Sequence, residues 1–84
     1  MKVPYTKHAD FKFQVLKEHG FTITREQIED IIKRPEKIVL GKRGRSIAHK
    51  SVSQTHLVRL IYEQHDDDIK VITFCPARRE RYED

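Results

Sequence analysis

Residues 69–82 read IKVITFCPARRERY, an apolar β-branched run that closes as a dense basic tail. Ile69, Val71, Ile72 and Phe74 predict a central strand. Pro76 has no N–H to give to a ladder, so the strand is expected to end there. Beyond it, Arg78, Arg79, Arg81 and Tyr82 set three guanidiniums and a phenol beside a rigid sheet edge. Planar, bidentate donors of this kind match phosphate oxygens.

Upstream of this strand the apolar period is two. His56–Gln64 predicts a strand with Val58, Leu60 and Tyr62 on one face and Leu57, Arg59 and Ile61 on the other. His65-Asp66-Asp67-Asp68 is a polar turn between the two. Lys37–Gly41 and Arg45–Val52 read as two further strands around the glycine-containing turn Lys42–Arg45. Before Glu36 the period is helical. Thr24 and Gln27 form a capping box for a helix over Arg25–Arg34, with Ile28, Ile31 and Ile32 as its buried stripe and Pro35 as its stop. Thr6 caps an earlier helix over residues 7–19, closed by Gly20. Ala9, Phe13 and Leu16 make one apolar edge of that helix and Phe11 and Val15 another, with His8, Lys12 and His19 between them. Lys2–Thr6, which contains Pro4, is an edge or extended lead-in. The expected architecture is α+β: two N-terminal helices packed on a four-stranded antiparallel meander, followed by a basic C-terminal tail.

The totals agree with one small domain. A chain of 84 residues buries only roughly 60–65% of the surface its unfolded form exposes. No apolar run approaches the ~18 residues of a membrane span, and residues 1–12 carry no signal-peptide core, so a cytoplasmic protein without a membrane role is expected. Cys75 is the single cysteine, which excludes an internal disulfide framework. Net charge is +4, and its distribution says more than its size. Basic residues concentrate at Lys42–Lys50 and Arg78–Arg81, while acids gather at Asp66–Asp68 and in the second helix. Such polarity favours a polyanion-binding face over a uniformly solvated shell.

With these elements placed, KEHGFTITREQIEDIIKRPEKIV (residues 17–39) and the ending VITFCPARRERYE (residues 71–83) resemble the small RelE/BrnT-like toxin proteins. His19-Gly20 at the end of the first helix is similar to the KHG of BrnT-type chains. His8-Ala9, the strand Leu57–Tyr62 and the ending Val71–Ala77 are similar to an uncharacterised RelE-like family of small prokaryotic proteins. The chain departs from the first group in lacking its opening Trp-Asp and from the second in placing Cys75 where an aromatic is usual. The resemblance implies two helices on a curved antiparallel sheet. It further implies metal-independent cleavage of RNA, including ribosome-associated mRNA, held in check by an antitoxin protein.

Cleavage of RNA without a metal needs a base for the 2′-OH, a cation for the charge that grows on phosphate, and a proton for the leaving 5′ oxygen. Arg59 is the one charge in the middle of its strand, and lies either on a functional face or in an ion pair with Glu63 or Glu80. Arg59, Arg78, Arg79, Tyr82 and His49 are the catalytic candidates. Lys12, Lys42, Arg43, Arg45, Lys50 and Arg81 are candidate nucleic-acid contacts, with the alternative that the turn and the tail are simply solvated. His49 and Lys50 are consecutive in a strand, so only one of them can face a substrate. His8 and His19 have no carboxylate or cysteine to complete a ligand set, and Asp66–Asp68 lacks the spacing of a calcium loop. No metal and no cofactor is therefore read from the sequence. A catalytically silent module that binds nucleic acid or an acidic partner through the same face is the alternative, and the sequence leaves open a homodimer or a heteromer.

Overall fold

The computed structural model describes residues 2–81. Helices α1 (Lys7–Glu18) and α2 (Arg25–Lys33) precede strands β1 (Lys37–Leu40), β2 (Ser46–Ser51), β3 (His56–His65) and β4 (Asp68–Arg78). The strands pair antiparallel in the order β1-β2-β3-β4. This is the α+β meander that the change of period from 3.6 to two predicts.

Local chemistry sets the helix ends. The Thr6 hydroxyl accepts from the Ala9 amide at 3.0 Å, and the capping box of Thr24 and Gln27 is complete in both directions. Each bond satisfies an amide that the first helical turn leaves without a partner. Gly20 follows α1 at φ +88°, a left-handed conformation that side-chain-bearing residues rarely adopt.

One face of the sheet takes the helices. Ala48, Val58, Leu60, Tyr62, Ile69, Val71 and Phe74 are buried there against Ala9, Leu16, Ile23, Ile28 and Ile31. Phe13 packs at a tilt against Phe74, with 4.7 Å between ring centroids, and against Tyr5 at 5.6 Å. Only one of the two apolar edges of α1 is buried, because Phe11 turns outward and is 57% exposed.

Three expectations are corrected. Pro76 does not end the last strand, which runs on to Arg78. Pro76 lies opposite Val58, and the Arg79 amide donates to the Thr55 carbonyl further along the same ladder. Hydrogen-bonded pairs alternate with non-bonded ones, so Pro76 occupies a non-bonded pair whose missing N–H falls on the outer edge of β4. The polar turn before β4 is shorter than His65–Asp68: β3 and β4 extend to pair His65 with Asp68, and Asp66 takes φ 55°. Arg45 and Val52 lie just outside β2, and Lys42–Gly44 forms a 3-10 turn. The lead-in is part of the sheet system. Ile69 and Val71 donate to the carbonyls of Lys2 and Pro4 at 2.9 Å, and Thr6 N donates to the Val71 carbonyl at 3.1 Å. This parallel contact covers the upstream half of the β4 edge. The tail continues as a 3-10 turn over Arg79–Arg81, and among the described residues no helix is long and apolar enough to cross a membrane.

Candidate nucleic-acid interface

Side chains alternate across a strand, so the face away from the helices carries the odd-numbered residues of β1, β2 and β3. The register aligns four of its side chains in one row across the sheet. Lys37 on β1 stands opposite His49 on β2, His49 opposite Arg59 on β3, and Arg59 opposite Cys75 on β4. Neighbours in such a row lie about 5 Å apart at Cα.

The centre of the row is a direct contact. Arg59 Nε donates to His49 Nε2 at 3.1 Å. An acceptor at Nε2 requires the neutral ring with its proton on Nδ1. His49 is only 7% exposed. Burial holds its pKa below the usual 6.5, and the positive charges of Arg59 and Lys37 push in the same direction. A neutral imidazole bonded to a guanidinium therefore sits in the middle of a basic row, and can accept a proton while the cation meets an anion.

The other predicted site residues are distributed differently. Arg45 donates from Nε to Glu63 at 3.0 Å, and the Glu63 carboxyl is held low by its bonds from His65 and Arg45. Lys50 points to the helix side and pairs with Asp30 of α2, whose pKa that bond lowers. Arg78 pairs with His56 and so stands on the opposite face of the sheet from Arg59. Arg79 is turned back onto the β2–β3 loop, where its Nη1 donates to the Ser53 and Gln54 carbonyls at 3.3 and 3.4 Å. Arg81 is exposed on the 3-10 turn, and Lys12 is half-buried on α1. Tyr82 lies outside the described residues. His8 Nε2 lies 3.0 Å from the Thr73 hydroxyl, at the junction of α1 and β4.

Lys42 and Arg43 are exposed and rim an open groove of about 630 Å³, floored by Leu40, Gly41, Ile47 and Ile61. Arg43 adopts φ 60° within this turn. The structure therefore brings His49 and Arg59 together, keeps the Lys42–Arg43 turn on the flank of the same sheet, and separates Lys50 and Arg78 from both. Among the described residues no group of three or more His, Cys, Asp or Glu could hold a metal ion.

Lys37 and Cys75 are the members of the row that the sequence reading passes over. For Lys37 the signal was the length of the β1–β2 turn. Once Leu40 pairs with Ser46, counting back in both strands puts Lys37 beside His49.

Comparison with protein-family models, curated proteins and solved structures finds no match to the chain in any of the three.

Proposed function

We propose that this protein is a toxin-like, metal-independent endoribonuclease of a toxin–antitoxin pair, acting in the cytoplasm through the sheet face that carries His49 and Arg59. The observation that carries the reading is the Arg59–His49 hydrogen bond at the centre of the basic row. An entering phosphate draws the Arg59 guanidinium to its own oxygens, since a charged acceptor outcompetes a neutral imidazole. Nε2 of His49 is then released to take the 2′-OH proton. The 2′ oxygen attacks phosphorus, Arg59 stabilises the charge on the non-bridging oxygens, and the 5′ oxygen leaves with a proton. The products are a 2′,3′-cyclic phosphate and a free 5′-hydroxyl. The Tyr82 phenol is the group in the sequence that can supply the final proton. The RelE/BrnT-like resemblance supports the same class of reaction and an antitoxin partner.

A second reading is favoured by the distribution of the remaining cations. Arg45 and Lys50 are in ion pairs, and Arg79 holds a loop. Cations engaged in this way suit a module that binds RNA or an acidic protein without cutting it.

The test is incubation of purified protein with a mixed-sequence RNA in chelator, with the new ends read chemically, beside induced expression and growth. Cyclic-phosphate ends that His49→Gln and Arg59→Ala each abolish, with both variants still folded, support the nuclease. RNA that is retained intact by the protein supports the binding module and sinks the catalytic reading.

A further inference from the structure

The two outer edges of the sheet differ. Lys2–Thr6 lies along the upstream half of the β4 edge, whereas nothing among the described residues covers β1. Gly41 N donates to the Arg45 carbonyl at 2.7 Å, and the register puts Val39 and Lys37 on that same inward-bonding phase. Ile38 and Leu40 therefore turn their N–H and C=O groups outward. Their side chains share the helix side with Ala48 and Ser46. There α1 packs on β4 and α2 on β2, which leaves Ile38 51% and Leu40 89% exposed. Val39, on the other face, is 37% exposed. An edge with free backbone groups and apolar side chains on both faces is a template for another strand.

The sequence in and around this edge, EKIVLGK over residues 36–42, is complementary to itself when reversed. Centred on Val39, an antiparallel pairing of two copies sets Ile38 against Leu40 and Val39 against Val39 within β1, and at its ends brings Lys37 to Gly41 and Glu36, just before the strand, to Lys42 at the start of the 3-10 turn after it. The apolar residues meet apolar residues, each acid meets a base, and each Lys37 meets a residue with no side chain. The Ile38–Leu40 pairs are also the ones whose outward N–H and C=O groups can bond.

We propose that β1 is a homodimer interface, pairing antiparallel with β1 of a second copy about a two-fold axis at Val39. Two four-stranded sheets become one continuous sheet. The four Ile38 and Leu40 side chains fill the gap between the two helical layers. The Glu36 carboxylate, held at one oxygen by the Ser51 amide of its own chain, meets Lys42 of the other copy through its second oxygen, and two such pairs fix the register. The relation is isologous, so one surface supplies both halves.

Sedimentation equilibrium of the whole chain tests this. Wild type is expected to reach twice its 10.0 kDa mass with rising concentration. Leu40→Pro is expected to remain a monomer with unchanged circular dichroism, since the N–H it removes is one that β2 does not use. If its dichroism falls, Leu40→Lys replaces it and is likewise expected to stay monomeric. Glu36→Lys and Lys42→Glu are each expected to be monomeric alone, because each opposes like charges twice. Mixed together they are expected to form a heterodimer, because both crossed pairs become opposite. A wild type that stays at the monomer mass into the millimolar range overturns the proposal. So does a dimer that survives the folded Leu40 variant, or a pair of charge-reversed chains that stay apart on mixing.

Discussion

Arg59 on β3 donates from Nε to Nε2 of His49 on β2 at 3.1 Å, and the bond fixes which nitrogen of the ring carries its proton. The long-range nitrogen–proton spectrum of His49 is expected to show the Nδ1–H tautomer at pH 7, with a titration midpoint below 6.5. In Arg59→Ala the midpoint is expected to rise, since one repelling charge is gone. It should still fall short of 6.5, because burial is the larger cause. A wild-type His49 titrating at or above 6.5 would contradict the geometry.

The same group makes stability depend on pH. His49 binds its proton less readily when folded than when unfolded, so the unfolded chain takes up more protons as pH falls below 6.5. Stability is therefore complete above that pH and declines beneath it. Glu36, bound by the Ser51 amide, and Asp30, bound by Lys50, have carboxyls held below their usual 4.5 and 3.8. They add a second decline at lower pH, again because the unfolded state binds the protons. Melting temperature against pH is expected to fall in two stages, and His49→Gln to remove the upper one.

RNA affinity should sort the basic residues by face. Arg59→Ala, Lys37→Ala and Arg43→Ala are expected to weaken binding. Each should also lower the salt slope by about 0.7 for every single-strand phosphate that the side chain had neutralised. Lys50→Met and Arg78→Ala are expected to leave both unchanged, since one residue pairs with Asp30 and the other stands on the opposite face. Equal weakening at Lys50 and Arg59 in filter binding would place the RNA elsewhere.

Within the core, Phe74 has no exposed surface and carries the aromatic contact to α1. Phe74→Ala is expected to cost about 3–5 kcal/mol, the usual range for emptying such a site. Pro76→Ala is expected to change stability little, because the restored N–H points away from β3. Urea denaturation of the two variants checks both expectations.

The contrast between those two residues shows how far reading along the chain reaches. Helix ends were legible at Thr6, Thr24 and Gln27, because a cap is a bond between residues three apart. The order of helices and strands was legible from the change of period. Pro76 misled because its effect depends on whether its nitrogen faces β3 or the outer edge, which one strand alone does not encode. The candidate site shows the same division. His49 and Arg59 were each chosen from sequence, but their contact was not, since it requires the register that pairs β2 with β3.

Residue type and spacing set the two helices and four strands, their order, and the concentration of basic residues near the sheet. Those properties depend on neighbours within one or two turns of chain. Tertiary structure decided which cations share a face, which are engaged by Asp30, Glu63 or loop carbonyls, and which edge of the sheet stays uncovered. Those outcomes depend on strand register and on where two helices dock, and a shift of one residue in pairing would move Arg59 to the opposite side of the sheet.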